Sequence, residues 1–116
     1  MEDSGLELNP QVVQLGPQVL LRILEKYLET QPPLIQDIQS AHEDGNLDKL
    51  RDAAHSLKGS SSTLGLDAMA AVCRELENAS KDGDPSATTR LVESVAEEGN
   101  RLEKALEAYL DKLRRS

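Results

Sequence analysis

The sequence predicts an all-α chain, an antiparallel up-and-down four-helix bundle with one or two extra N-terminal helices. Three observations lead there. The 116 residues include only two aromatics, Tyr27 and Tyr109, and no Trp or Phe. The core must therefore be built from Leu, Val, Ile and Ala, a palette that favours helices over strands. Apolar residues recur every three or four positions, and period-2 alternation never persists. Caps, first-turn prolines and glycine stops fall close together, so the connections are short and neighbouring helices run antiparallel. The length suits one domain, residues 1–116.

Each element has its own signal. Asn9-Pro10 opens a short first helix, with Asn as cap and Pro in the first turn. Gly16-Pro17 interrupts it. Pro17 opens a second segment, with Val19, Leu20, Ile23, Leu24, Tyr27 and Leu28 at helical spacing. Pro32-Pro33 is expected to end that helix and begin a third, which carries Leu34, Ile35, Ile38 and Ala41 on one face. Gly45 stops it and Asn46 caps the next. From Leu47 to about Leu64, a stripe of Leu47, Leu50, Ala54, Leu57, Ser61 and Leu64 runs unbroken. Gly65 ends this helix, and Asp67 is expected to cap the following one, whose buried seam is Leu66, Met69, Cys73 and Leu76. Asp84-Pro85 begins a last long helix with Leu91, Val95, Leu102, Leu106, Tyr109 and Leu113 as its seam. Gly99-Asn100 is a weak point at its middle, open to a kink or a split into two helices.

Charge and composition exclude several functions. The net charge is −8, from 21 acidic and 13 basic residues. Such a chain is a poor match for nucleic acid or an anionic membrane surface, where Lys and Arg must neutralise phosphates. No apolar run approaches the roughly 20 residues that cross a bilayer. The acidic start Met1-Glu2-Asp3-Ser4 carries no signal-peptide pattern. The single cysteine, Cys73, precludes an intramolecular disulfide and a Cys-rich zinc site. A cytoplasmic location is the expectation. Met1 and the completeness of the bundle point to a free-standing protein.

The chemistry concentrates in Ala53-Ala54-His55-Ser56-Leu57-Lys58-Gly59-Ser60-Ser61-Ser62-Thr63-Leu64-Gly65. At 100° per residue, His55 falls roughly 120° from the centre of the apolar stripe and points at solvent. Lys58, Gly59 and Ser62 share its side at i+3, i+4 and i+7. A mid-helix glycine costs about 1 kcal/mol relative to Ala, and serines compete for backbone hydrogen bonds. Small residues held at that cost beside an exposed His clear space for another protein's surface. Neutral imidazole is a nucleophile, and Lys58 would offset negative charge arriving on a ring nitrogen. Geometry alone leaves His55 between an ordinary surface residue and such a nucleophile.

The run Ala54-His55-Ser56-Leu57-Lys58-Gly59-Ser60-Ser61, followed by Leu64-Gly65, closely resembles the signature of histidine phosphotransfer domains of multistep phosphorelays. The segment Leu66 to Glu77 and the approach through Gly45-Asn46, Leu47 and Leu50 are similar to that family too. The resemblance spans nearly the whole chain. It implies that His55 is the phosphoacceptor, taking phosphoryl from a receiver-domain Asp and passing it to the Asp of another response regulator. It implies that Lys58 helps hold the phosphoryl oxygens, that Gly59 gives the receiver access, and that Ser62 is the small residue of the docking face. Glu77 matches a position where members often carry Gln or Glu near the His, and would orient the imidazole. Thr63 stands where many relatives have Asn. Tyr27 and Leu28 fall where many use Phe, so the second helix is expected to pack differently. Family resemblance further implies partners among receiver domains or a hybrid sensor kinase, a monomer, and no cofactor or metal in this chain. The magnesium for transfer would lie in the receiver. There is no Gly-rich phosphate loop, so a phosphotransfer protein rather than a kinase is expected.

The other singled-out residues read as structural. His42 is a helix-end His favoured by the dipole, and its spacing supplies no second neutral metal ligand. Cys73 lies on a buried seam. Arg51 and Asp52, one turn before His55, are either partner contacts or plain surface charges. Two other functions stay in view. A sensor-kinase dimerisation helix pair would carry an acidic residue after the His and a Pro soon beyond, but Ser56 follows and the next Pro is Pro85. A non-catalytic helical adaptor that binds and blocks a receiver would need neither His55 nor Lys58.

Overall fold

The computed structural model describes residues 6–115. The acidic stretch Met1-Glu2-Asp3-Ser4 lies outside the described residues. Five helices follow in order: α1 Pro10–Val13, α2 Pro17–Asp44, α3 Leu47–Leu64, α4 Asp67–Asp82 and α5 Pro85–Arg115. No strand occurs among the described residues. α2 to α5 form the four-helix bundle and α1 is the one extra N-terminal helix. α3 packs on α2 and α4, and so does α5, which puts α3 and α5 at diagonal corners.

The expected break at Pro32-Pro33 does not occur: α2 runs unbroken for 28 residues through both prolines. The prolines remove two N–H donors, so the carbonyls of Leu28 and Glu29 lose their i+4 partners, a penalty of about 3 kcal/mol for a proline in a helix interior. Both prolines are exposed. On the opposite face Leu24, Tyr27, Gln31, Ile38 and Ala41 stay in helical phase and are all buried. Each large apolar side chain so buried contributes about 1.5–3 kcal/mol, and that outweighs the prolines.

α5 is likewise continuous for 31 residues through Gly99-Asn100. Gly99 is buried against α2. A Cβ placed there would collide with Ile35 Cδ1, and Gln31 Nε2 donates to the Gly99 carbonyl at 3.0 Å. The glycine is therefore a contact point between helices and not a hinge.

That bond belongs to a buried polar ladder. Tyr27 Oη donates to Gln31 Oε1 at 2.9 Å and lies 2.9 Å from Ser61 Oγ. Ser61 is 0% and Gln31 2% exposed, yet both find partners, so the ladder ties α2, α3 and α5 together without orphaning a polar atom. Around it Leu24, Leu50, Leu57, Met69, Leu76, Val95 and Leu106 make a core with no Phe or Trp.

The caps locate the ends. Asn9 accepts from Gln11 N, Asn46 from Lys49 N, and Asp84 from Ala87 N. Asp67 does not cap α4; Leu66 holds that position and Asp67 is the first helical residue. There its carboxylate suits the positive end of the helix dipole. Gly65 closes α3 at φ +83°, and a Cβ on it would lie 2.6 Å from Asn9 N. Only glycine allows that close approach, and through it Asn9 N donates to Leu64 O at 2.8 Å. This pins α1 to the C-terminal end of α3.

Candidate functional site

α3 buries Leu50, Ala53, Ala54, Leu57, Ser61 and Leu64, which turns His55 outward as its helical angle requires. The His55 side chain is 70% exposed. Halfway along α3, it stands on the long side of a bundle 47 Å in length, not at an end.

One neighbour fixes the ring. Glu77, on the facing helix α4, places Oε2 3.0 Å from His55 Nδ1. A carboxylate only accepts, so Nδ1 carries a hydrogen, and in the neutral ring Nε2 is then the nitrogen with the lone pair. The second carboxylate oxygen, Oε1, is buried and lies 2.6 Å from Lys58 Nζ. Burial pushes the Glu77 carboxyl up, but Lys58 and His55 outweigh it and hold the group below the usual carboxylate range. The result is a chain: Lys58 holds Glu77 as an anion, and Glu77 holds the imidazole as one tautomer.

The remaining residues divide by position. Gly59 is exposed, and a Cβ built on it meets nothing within 4 Å. Ser62 is exposed one turn further on. Thr63, also exposed, donates its hydroxyl to the Gly59 carbonyl at 3.0 Å. Arg51 pairs with Asp48 at 2.5 Å, one turn back on its own helix. An open groove runs between α3 and α4, lined by Arg51, Asp52, His55, Lys58, Arg74, Glu77, Asn78 and Lys81. Gly59 and Ser62 share the exposed face of α3 but lie outside that groove.

On the α4 wall of this groove the sequence reading names Glu77 but not its neighbours. Arg74, Asn78 and Lys81 flank Glu77 at −3, +1 and +4, so a helical projection of α4 centred on Glu77 would have found them. Elsewhere, His42 Nε2 lies 3.2 Å from Thr89 Oγ1. Among the described residues no group of His, Cys, Asp and Glu is placed to hold a metal ion. Cys73 is fully buried, and burial, with a smaller push from Glu77, takes its thiol up to about 12. No helix of the described residues is long and apolar enough to cross a membrane.

Known proteins share the fold. Over 56 residues the chain is 43% identical to multistep phosphorelay regulator 1 of Schizosaccharomyces pombe, a match that takes in 48% of this chain and 19% of that protein. The chain thus spans about a fifth of that relative's length. Histidine-containing phosphotransfer protein B of Pseudomonas aeruginosa superposes with a TM-score of 0.83 at 21% identity, covering 93% of this chain and 97% of that one. A histidine-containing phosphotransfer protein from rice, described as putative in its own name, superposes with a TM-score of 0.80 at 20% identity, covering 90% of this chain and 76% of that one. At those identities the two structures share the fold. The Hpt domain model matches residues 22–116, from the first turns of α2 to the end. The bundle, the outward His55 on its long side and a match over that span lead to one family: this chain belongs to the Hpt domains.

Proposed function

We propose that the chain is a phosphorelay intermediate of two-component signalling, in which His55 Nε2 takes phosphoryl from the aspartyl phosphate of one receiver domain and passes it to the aspartate of another. The observation that carries this reading is the Lys58–Glu77–His55 chain on an exposed helix face beside open space at Gly59. In the first step the Nε2 lone pair forms the N–P bond, and the aspartyl P–O bond breaks with its electron pair going to the carboxylate. The Nδ1 hydrogen stays in place, and Glu77 balances the positive charge that develops on the ring. The second step is the reverse, onto a different carboxylate. Lys58, half-buried at 27% exposure, is close enough to share its charge between Glu77 and the incoming phosphoryl oxygens.

Gly59 and Ser62 keep the approach low, and Arg51 and Asp52 belong to the same docking surface. Magnesium would sit in the receiver. The chain works as a monomer in the cytoplasm and is a carrier, not a kinase. Names of relatives that speak of phosphorelay regulation and histidine phosphotransfer support this reading. So does the match of Glu77 and Lys58 to one connected geometry, which a blocking adaptor would not need.

The test is to incubate the protein with radiolabelled phosphorylated receiver and follow base-stable, acid-labile label. Wild type should gain label and His55→Gln none. Equal labelling of the variant would remove His55 from the reaction. Receiver binding without label on wild type would favour the adaptor.

A further inference from the structure

The groove beside His55 departs from the rest of the molecule in charge. The chain carries −8 overall, yet four cations, Arg51, Lys58, Arg74 and Lys81, line this groove against two carboxylates, Asp52 and Glu77. Lys58 is paired with Glu77, and Arg51 with Asp48. Arg74 and Lys81 are exposed and make no ion pair among the described residues. They lie two turns apart on α4 and flank Glu77, which holds the ring. Like-charge repulsion covers most of the surface, so an acidic partner meets attraction at this groove.

We propose that Arg74 and Lys81 form a cationic rim that steers the acidic, phosphoaspartate-bearing face of a receiver domain onto His55, making α4 a partner-selecting element. The inference rests on the phosphorelay reading, which supplies the occupant: a donor whose docking face carries a dianionic aspartyl phosphate. The rim lies beside the imidazole and leaves the Lys58–Glu77–His55 chain untouched. It acts on encounter and not on the transfer step. Charges of this kind raise association rates and lose their effect as salt screens them.

The experiment measures label transfer from receiver domains of the same genome, each charged with acetyl phosphate. It compares wild type, Arg74→Gln/Lys81→Gln and a control pair, Arg90→Gln/Lys104→Gln. The control removes the same two charges from exposed positions of α5, at the corner diagonal to α3. Circular dichroism melts check that both variants fold. For the rim variant, the second-order transfer rate should fall about five- to tenfold at 20 mM salt and less than about twofold at 0.5 M, with the rate at saturating receiver unchanged. The control should stay within about twofold of wild type at both salts. Equal behaviour of rim and control, or a loss that persists at 0.5 M salt, would overturn the rim. Absence of label on wild type from every receiver would instead overturn the phosphorelay reading beneath it.

Discussion

Gly59 offers a perturbation in which stability and function should move in opposite directions. In Gly59→Gln the new Cβ meets no atom within 4 Å, and the position is inside α3 with ordinary helical backbone. Nothing in the fold opposes the side chain. The helix gains, since glycine is about 0.5–1 kcal/mol worse than a good helix former at an interior site. For a chain of this size that gain corresponds to a rise in Tm of about 2–6 °C. Function should suffer, because the new side chain projects from i+4 into the space over the imidazole. Displacing the reacting groups by an ångström can cost about 100-fold, so a drop of about 10- to 100-fold in transfer from a receiver is expected. Urea melts followed by circular dichroism give the stability, and label transfer from a phosphorylated receiver gives the rate. Phosphoramidate, a phosphodonor small enough to pass the side chain, should label the variant at close to the wild-type rate. Undiminished transfer from the receiver would refute the steric argument. Lower stability would refute the claim that the space is empty.

Three further outcomes follow from the same structure. Tyr27→Phe strips the hydroxyl from the buried ladder and leaves Ser61 Oγ and Gln31 Oε1 without their partner; a loss of about 1–3 kcal/mol in urea unfolding is expected, part of it recovered in Tyr27→Phe/Ser61→Ala. Glu77 is held below the usual carboxylate range in the fold, so its ionised form stabilises the protein above the unfolded-state value and that contribution fades as the pH falls through the folded value; urea midpoints of wild type and Glu77→Gln should differ at pH 7 and converge in the acid range. The Cys73 thiol, pushed up to about 12 by burial first and Glu77 second, should resist a disulfide reagent at pH 8 and react only as urea raises the unfolded population; its neutral form keeps its full stabilising effect below the ordinary thiol range, and that effect is lost as the pH climbs toward the folded value.

The sequence made the bundle, the outward His55 and most caps legible, because these depend on local periodicity and short-range hydrogen bonding. What it obscured depends on long-range packing. Pro32-Pro33 reads as a stop by local chemistry, and only burial on the far face of α2 overrules it. The clue was present: Tyr27, Gln31, Ile38 and Ala41 keep helical phase across the prolines. Gly99 reads as a weak point for the same reason, although its role is to admit Ile35 and Gln31, residues 64 and 68 positions away that no local window contains. Glu77 was placed near the His by resemblance, whereas its grip on Lys58 emerges only when α3 and α4 are set side by side. Arg74 and Lys81 escaped because a charged helix face is ordinarily read as solvated. Their meaning depends on what stands across the groove.

The ladder through Tyr27, Ser61, Gln31 and Gly99 bears on what kind of messenger the chain is. Sliding α3 or α5 by one turn, about 5.4 Å, would break the buried bonds of Tyr27 to Ser61 and of Gln31 to Gly99. The buried bonds hold the helices in register, so on the phosphorelay reading loading or unloading His55 works against a change of packing. A latched bundle holds its state the way a token does, in whether one nitrogen is occupied, and not in a change of shape. Any partner must therefore read the imidazole itself, at close range.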